Sequence, residues 1–357
     1  MKDRNQIKDI VLAVTNKCNG RCQFCNIWKD KKESSCLIED YKRLPAQARN
    51  IEITGGEPFL RDDLLDIVKT ISRQTPKAKI TILTNGFLPS KIKQTMQRVI
   101  RFRKNIGLAV SLDGFGKVHE ELRGFPGGYC LAIETIRLLK ELGLKDLRIT
   151  FTLGDNNVNQ LKKVYRLSKE LGVKFNLALY HDSAHHFKKQ NNRVIHIRKI
   201  KRELAWLAEQ ELRSFSPQRW LRAYFAWALV RFLETDRRVL PDYSGLYSLF
   251  IDSDGSIYPS EVWALKIGQL QRMNKTNNWP EFSQRTQEMI SVDQSPGSWM
   301  IPTVRRAMQK HWPEVMRWIL QEKFCLYTKG RKYVFKAKKK HPAKQLNLFL
   351  KKISSIF

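Results

Sequence analysis

Short apolar runs alternate regularly with amphipathic stretches from residue 9 to about residue 180. The runs that predict strands are Ile10–Val14, Asn50–Ile53, Lys79–Leu83, Asn105–Ser111, Leu147–Leu153 and Lys174–Leu179. The stretches that predict helices are Asp62–Ser72, Ser90–Phe102, Tyr129–Leu142 and Val158–Leu171. Strands that alternate with helices in this way form parallel βαβ units. The pattern favours an α/β fold, a partial (β/α)6 TIM-like barrel, over an open sheet, and both place ligands at the carboxyl ends of the strands.

A mostly helical C-terminal extension is predicted beyond residue 180, where the regular alternation ends. Its predicted elements are helices at Ile195–Arg213, Pro217–Arg237 and Thr303–Lys323 and a β-like piece at Tyr247–Tyr258. The second of these helices is rich in aromatic residues and is expected to be a core element. We expect four consecutive regions, namely a core at 1–190, a helical connector at 191–238, an extension at 239–325 and a basic tail at 326–357.

Three cysteines, Cys18, Cys22 and Cys25, follow the first predicted strand in a C-x3-C-x2-C spacing. Thiolates this close can hold a metal or an iron–sulfur cluster, but three of them cannot all pair as disulfides. A closed site needs four ligands, so the missing fourth indicates an open coordination position, as in catalytic metal sites. A zinc knuckle that lacks one ligand is the alternative interpretation. The other cysteines stand far apart and are predicted to be buried apolar thiols: Cys36, Cys130 and Cys325.

Chemically specific residues also follow the next three predicted strands. In chain order these segments are Gly55-Gly56-Glu57-Pro58, Thr84-Asn85-Gly86 and Ser111-Leu112-Asp113-Gly114, and a fourth segment, Leu122-Arg123-Gly124, comes a few residues after the third. Adjacent glycines let the backbone approach a ligand, and a carboxylate beside them can accept hydrogen bonds from an ammonium group. A hydroxyl and a carboxylate suit ribose hydroxyls, and a guanidinium suits a carboxylate. Taken singly, the same segments are also compatible with a tight turn, strand-end polar groups and a solvated arginine.

With these motifs in this order, the chain resembles the radical S-adenosylmethionine (SAM) enzymes over roughly residues 8–180. The loop of Cys18, Cys22 and Cys25 is similar to the loop that holds three irons of a [4Fe–4S] cluster, whose fourth iron binds the amino and carboxylate groups of SAM. The resemblance assigns the GGEP segment to the SAM amino group. The positions that it implies for cofactor contacts are Phe24, Gly55, Gly56, Glu57, Asn85, Ser111, Asp113 and Arg123.

The resemblance also implies a reaction. SAM is cleaved reductively at the cluster to a 5′-deoxyadenosyl radical, which abstracts hydrogen from an unidentified peptide, sugar or lipid substrate. An electron donor such as a flavodoxin or ferredoxin is implied as a partner. Two alternatives remain open: a non-catalytic or regulatory paralogue that binds the cluster or SAM, and a nucleic-acid-modifying radical SAM enzyme. His181 and His185 follow the last predicted strand and are candidates for substrate contact or proton transfer, with a polar loop as the plain alternative.

The extension at 239–325 resembles the SPASM or twitch region of many of these enzymes, but without its cysteines. Aspartate stands at one cysteine position, Asp242, and serine at another, Ser260. A weaker alignment places three further substitutions at Ser295, Ser298 and Pro302. Serine and aspartate are poor replacements for thiolates at an iron–sulfur cluster. We therefore expect a single cluster, in the N-terminal loop.

The chain is strongly basic, with 65 Lys and Arg against 34 Asp and Glu and a formal net charge of +31. Such a field favours anionic partners, either a substrate or a surface. Apolar residues recur at helical spacing among the lysines of the tail, which fits a helix on an anionic membrane, although a merely solvated tail fits as well. Nucleic acid is a less favoured partner because no recognition module is apparent. We expect a cytoplasmic location, with peripheral contact at the inner membrane face as a variant of it, because the chain shows neither an apolar run of spanning length nor a signal peptide.

Overall fold

The computed structural model describes residues 7–30, 34–192, 194–273, 279, 282 and 299–329. In this part of the chain the strands form one sheet in the order β6-β5-β4-β3-β2-β1-β7-β8-β9. The strands are β1 Asp9–Ala13, β2 Asn50–Thr54, β3 Lys79–Thr84, β4 Ile106–Ser111, β5 Asp146–Leu153, β6 Lys174–Leu179, β7 Ser248–Ile251, β8 Ser256–Tyr258 and β9 Gly268–Gln269. The helices are α1 Leu64–Gln74, α2 Pro89–Phe102, α3 Lys117–Arg123, α4 Gly128–Glu141, α5 Leu161–Glu170, α6 Ile197–Leu212, α7 Pro217–Thr235, α8 Ile301–Lys310 and α9 Trp312–Lys329.

The first six strands pair in parallel with their sequence neighbours, which confirms the predicted α/β partial barrel. Each residue of β1 is buried, because this strand lies between β2 and β7 near the middle of the sheet. Strand β5 alternates instead: Leu147, Ile149, Phe151 and Leu153 are buried and the residues between them are half-buried. The period of two shows that one face of β5 packs against the core while the other stays partly open.

The beginning of the predicted extension is part of the barrel sheet. Strand β7 pairs in parallel with β1, from Asp9 opposite Ser248 to Leu12 opposite Ile251, and then turns into the antiparallel strands β8 and β9. Contacts divide the chain into two compact units. One comprises the residues up to His196 together with Leu240–Ala307, and the other comprises Ile197–Val239 with the residues from Met308 onward. The division into four consecutive regions stays a prediction.

In the second unit, helices α6, α7 and α9 pack against one another. The aromatic helix α7 buries Tyr224 and Phe225, as its composition predicts. A helix predicted over 303–323 proves to be two, α8 and α9. The break falls at His311, because Pro313 has no amide to donate four residues back and its ring would clash with that carbonyl in a continuous helix. Among the helices of the described residues, none is long and apolar enough to cross a membrane.

The lone cysteines differ in their environments. Cys36 is buried, as predicted, and its sulfur accepts a hydrogen bond from Gln271 Nε2 at 3.4 Å. Cys325 is partly buried. The prediction for Cys130 is wrong, because this thiol is exposed. It lies on α4 out of phase with the buried face formed by Ala132, Ile136 and Leu139.

Candidate active site

The three clustered cysteines lie on the loop that leaves β1, at the carboxyl end of the strand, where the sequence places them. Cys25 is buried with Phe24 and Ile27, and Cys18 and Cys22 pack against the same small apolar cluster. The loop turns tightly, since the amide of Cys25 donates to the carbonyl of Cys22 at 3.2 Å. All three sulfurs therefore belong to one local site.

Backbone hydrogen bonds fix this loop, which we call the cysteine loop (residues 18–25), from two sides. The amides of Arg21 and Gln23 donate to the carbonyls of Arg123 and Leu122, each at 2.8 Å. On the other side, the amide of Asn26 donates to the carbonyl of Phe187 at 2.7 Å. Gly124 ends α3 at φ +58°, and a Cβ there would lie 2.5 Å from the carbonyl oxygen of Arg21. Only glycine lets α3 end so close to the loop.

The donor set fits a cluster better than a single ion. In the described residues, no group of three or more His, Cys, Asp and Glu is arranged to hold one metal ion. A tetrahedral zinc at about 2.3 Å from each sulfur requires its ligands to converge on one point, whereas the cysteines of an iron–sulfur cluster bind different irons. Burial raises the pKa of Cys18 and Cys25 to about 12 and also raises that of Cys22. The thiols become thiolates only when a cationic group binds and offsets this burial.

The glycine pair after β2 packs against the backbone that precedes the cysteine loop. A Cβ on Gly55, whose φ is +127°, would lie 2.2 Å from the carbonyl oxygen of Thr15, and one on Gly56 would lie 2.2 Å from that of Lys17. The amides of Gly56 and Glu57 donate to these two carbonyls at 2.7 and 2.8 Å. The two glycines thus let the backbone after β2 pack closely against the backbone just before the cysteine loop, rather than against a ligand.

The carboxylate of Glu57 is fully buried and engaged with the protein. Thr84 Oγ1 donates to Oε1 at 2.8 Å, the amide of Asn85 donates to Oε2 at 2.7 Å, and the amide of Phe59 donates to Oε1 at 3.2 Å. Burial raises the pKa of Glu57 to about 7, and these hydrogen bonds limit the rise. Asn85 continues the connection, since its Nδ2 donates to Asn19 Oδ1 in the cysteine loop at 2.7 Å. Glu57 therefore connects the ends of β2 and β3 by hydrogen bonds, and Asn85 connects β3 to the cysteine loop.

Asp113 and Arg123 form a buried ion pair beside the cysteines. Arg123 Nε donates to Asp113 Oδ2 at 2.6 Å, and Arg123 Nη1 approaches Cys22 Sγ at 3.7 Å. The other oxygen of Asp113 accepts the amide of Thr152 at 2.7 Å. Burial alone lowers the pKa of Arg123, but Asp113 and Cys22 outweigh it and raise the pKa, so the guanidinium stays charged. Ser111 is half-buried at the end of β4 nearby in the chain.

Phe24 stacks on Tyr180, with ring centroids 4.5 Å apart. Sequence reasoning missed Tyr180, although its position directly after the last barrel strand was a usable signal. Gly154 makes room for it, because a Cβ there would lie 2.2 Å from the tyrosine ring. The hydroxyl of Tyr180 is buried and has no hydrogen-bond partner among the described residues. This polar atom is therefore available to a group that binds beside the cysteine loop.

The two histidine candidates lie against different neighbours. His181 Nδ1 is 3.0 Å from the carbonyl oxygen of Leu179, and its ring centroid lies 4.7 Å from that of Phe187, which packs on the cysteine loop. His185 stacks on Tyr258 at 4.2 Å. Burial lowers the pKa of His181 and lowers that of His185 to about 4, so both rings are neutral at pH 7. Only His181 is connected to the cysteine loop, and a catalytic role for either residue stays a prediction.

At the positions where the resemblance to a SPASM or twitch region predicts lost cysteines, the residues present make local hydrogen bonds. Asp242 Oδ1 accepts the amide and the hydroxyl of Ser244 at 2.9 and 2.7 Å. Ser260 is buried, its Oγ accepts the amide of Trp263 at 3.3 Å, and its carbonyl oxygen lies 3.1 Å from His185 Nε2. Pro302 lies in α8, while Ser295 and Ser298 lie outside the described residues.

Glu261, next to Ser260, has a buried carboxyl group. No basic side chain among the described residues pairs with it. Its backbone carbonyl accepts a hydrogen bond from Ser183 Oγ, which fixes the segment to the loop after β6. Burial raises the pKa of Glu261 to about 8, and the negative charge of Glu52 adds to the rise. Glutamate ionises near pH 4.3 in an unfolded chain. Between about pH 4.3 and pH 8, the carboxyl of Glu261 therefore stays protonated in the folded protein but is ionised in the unfolded chain.

Replacing this carboxyl by an amide should flatten the pH dependence of stability. Because the folded pKa lies above the unfolded one, the stability of the wild-type protein falls as pH rises from about 4.3 to about 8. One pKa unit corresponds to about 1.36 kcal/mol, so the loss is on the order of a few kcal/mol. Urea unfolding at pH 5 and pH 9 should show this loss in the wild type and a smaller one in Glu261→Gln. The exposed Glu170→Gln should behave as wild type; equal slopes in all three proteins would count against the assignment.

Part of the chain matches a known family model and several curated relatives. Residues 12–168 match the model of the radical SAM superfamily. A probable GTP 3′,8-cyclase of Sulfurisphaera tokodaii is 31% identical over 173 residues, which cover 47% of this chain and 54% of that protein. One of Saccharolobus solfataricus is 29% identical over 174 residues, with the same two shares. Residues 12–168 therefore form a radical SAM domain, and the chain spans about half the length of the curated relatives it matches.

Solved structures show the same fold. Native anSMEcpe with bound AdoMet superimposes with a TM-score of 0.58 at 17% identity and covers 88% of this chain and 100% of that chain. Streptococcus suis SuiB bound to S-adenosylmethionine gives a TM-score of 0.55 at 18% identity, over 76% of this chain and 63% of that chain. At this identity the likeness concerns the fold alone, and it confirms the partial barrel.

The cofactors of the superfamily are a [4Fe–4S] cluster and SAM, and the residues of this site fit them. Cys18, Cys22 and Cys25 supply three sulfurs that share one site without converging on a single ion. Arg123 lies in contact with one of these sulfurs, and Tyr180, whose hydroxyl has no hydrogen-bond partner among the described residues, stacks on Phe24. The cysteines would hold the cluster, and the surrounding polar groups are available to SAM.

Proposed function

We propose that the protein is a radical SAM enzyme. The observation that carries this proposal is the meeting of three cysteines, a buried cation and the ends of successive parallel strands at one site. When bound, the cluster and SAM supply a one-electron cleavage of the sulfonium and abstraction of hydrogen from the substrate. The protein's own part is to bind, orient and shield these groups.

Specific residues support each of these tasks. Arg123 keeps a positive charge next to Cys22, which favours the thiolate that metal binding needs. Glu57 holds the ends of β2 and β3 against the start of the cysteine loop through its hydrogen bonds to Thr84 and Asn85. The stacked rings of Phe24 and Tyr180 cover one side of the loop and exclude water from it.

The test is cleavage of SAM by the reconstituted wild-type protein. After anaerobic loading with iron and sulfide, the protein should form 5′-deoxyadenosine when SAM and a low-potential reductant such as dithionite are both supplied. Omitting either should reduce the product to background. A protein that carries a full cluster yet forms no 5′-deoxyadenosine would favour the non-catalytic, cluster-binding alternative over the enzyme.

The proposal also covers a first substrate to test, an electron donor and a membrane contact. The curated relatives are named for GTP cyclisation, so GTP is the first compound to add to the cleavage assay. An electron donor such as a flavodoxin or ferredoxin is proposed because the chemistry consumes one electron. Contact of the basic tail with an anionic membrane is proposed from the sequence, since residues 330–357 lie outside the described part of the chain.

A further inference from the structure

One buried arginine connects the aspartate at the end of β4 with the cysteine loop. Arg123 Nε lies 2.6 Å from Asp113 Oδ2, and its Nη1 lies 3.7 Å from Cys22 Sγ. The side chain of Asp113 is fully buried and that of Arg123 is nearly so. The sequence motif assigns both residues to SAM, but their closest contacts are with each other and with a cluster-binding sulfur.

The guanidinium is held in one orientation. Its central carbon lies over the ring of Phe24, 5.1 Å from the ring centroid. Asp113 is itself fixed, because its Oδ1 accepts the amide of Thr152 at 2.7 Å and its own amide donates to His119 Nδ1 at 3.0 Å. The hydrogen bond from Nε to Asp113 and the packing on Phe24 fix the guanidinium of Arg123. Its Nη1 is therefore directed at the sulfur of Cys22.

We infer that Arg123 raises the reduction potential of the cluster bound at Cys22, and that Asp113 is the positioning residue that aims it. This inference rests on the proposed function. Hydrogen bonds and positive charge at a cluster sulfur stabilise the reduced state, which carries one more electron and therefore more negative charge. The charge acts strongly here because a buried cation is screened far less than an exposed one.

Removing the arginine alone leaves Asp113 as a buried charge without its partner, which is destabilising enough to unfold the protein. The variant Arg123→Gln is therefore paired with the double variant Arg123→Gln/Asp113→Asn, which removes both charges. The double variant keeps the site neutral and still lacks the guanidinium nitrogen that reaches Cys22, because the side chain of glutamine is shorter. Arg21→Gln is the matched control, because Arg21 belongs to the same loop and is exposed, lying over Trp28.

The experiment is a redox titration of the reconstituted proteins, followed by electron paramagnetic resonance of the reduced cluster. At the midpoint potential of the wild type, the reduced fraction should fall from about one half to about one tenth in the double variant, a tenfold change in the equilibrium constant or about 59 mV. It should fall further in Arg123→Gln, which keeps the negative charge of Asp113 beside the cluster. Arg21→Gln should shift it much less. Midpoints equal to that of Arg21→Gln, in variants with full iron content, would overturn the inference.

Loss of the cluster from both Arg123 variants but not from Arg21→Gln would show a role in assembly, and it would overturn a tuning role as well. Failure of the wild-type protein to bind a cluster at all would count against the proposed function instead. Iron and sulfide content, measured on every sample before titration, therefore separates the two failures.

Discussion

The variant Cys22→Ala should lose the iron–sulfur cluster and, with it, SAM cleavage. Cys22 is one of the three sulfurs that share the loop after β1, and no fourth cysteine lies in that group to replace it among the described residues. Changes to groups that merely support metal ligands cost roughly 10–100-fold in metal affinity or activity, so loss of a ligand should exceed the upper value. We expect iron content near background and 5′-deoxyadenosine formation reduced by more than about 100-fold.

The matched control is Cys130→Ser, which removes a thiol that is exposed on α4 and remote from the loop in sequence. Iron content and SAM cleavage should be unchanged in this variant. The measurements are iron and sulfide per chain, the absorbance of the reconstituted protein, and 5′-deoxyadenosine by chromatography. Cys22→Ala protein that binds as much iron as wild type would refute the assignment of the cluster to this loop.

Much of the barrel could be predicted because its strands leave a local signature. Strand β6 was predicted over its observed range, Lys174–Leu179, and β1 within one residue at each end, since apolar runs bounded by polar residues mark buried parallel strands. The pairing of β1 with β7 was not predicted. These strands lie more than 200 residues apart in the chain. The sequence of neither strand indicates that the free edge of β1 pairs with β7.

The structure brings the predicted site residues together at the carboxyl ends of the strands, but it turns several of their side chains in directions that the sequence does not predict. From sequence, Glu57 and Asp113 are acids at strand ends and therefore available to a ligand. In the structure both carboxylates turn inward, because Thr84 and the amide of Asn85 satisfy one and Arg123 satisfies the other. Which partner a carboxylate finds depends on three-dimensional packing, which a motif does not contain. The corresponding roles as direct SAM contacts stay predictions.

The glycine pair was interpreted as an opening for a ligand, whereas in the structure the chain itself fills the space. This difference gives the second large prediction. Gly56→Ala should destabilise the protein by about 3 kcal/mol or more, even without any cofactor. Overpacking costs typically 1–3 kcal/mol, and about 1 kcal/mol more is lost with each hydrogen bond that breaks.

The cause of this destabilisation is a clash that cannot be relieved by a side-chain movement. The new Cβ would lie 2.2 Å from the carbonyl oxygen of Lys17, 2.7 Å from its carbon and 2.8 Å from the carbonyl oxygen of Asn16, all of them backbone atoms. To make room, the chain must lengthen the hydrogen bonds that the amides of Gly56 and Glu57 now make at 2.7 and 2.8 Å. Since Lys17 directly precedes Cys18, the displacement reaches the first of the proposed cluster ligands.

Gly127→Ala is the control that separates this clash from the general cost of replacing a glycine. Gly127 has φ +76° but nothing within 4 Å of an added Cβ, so its substitution should cost only the roughly 1–2 kcal/mol of a left-handed residue. Urea unfolding of the three cofactor-free proteins should rank wild type above Gly127→Ala and Gly127→Ala above Gly56→Ala. Reconstituted Gly56→Ala should also bind less iron than Gly127→Ala. Equal free energies of unfolding in the two variants would mean that the glycine pair is needed only for ligand binding. A lower free energy of unfolding in Gly56→Ala would show that the pair is needed to pack the cysteine loop against the barrel.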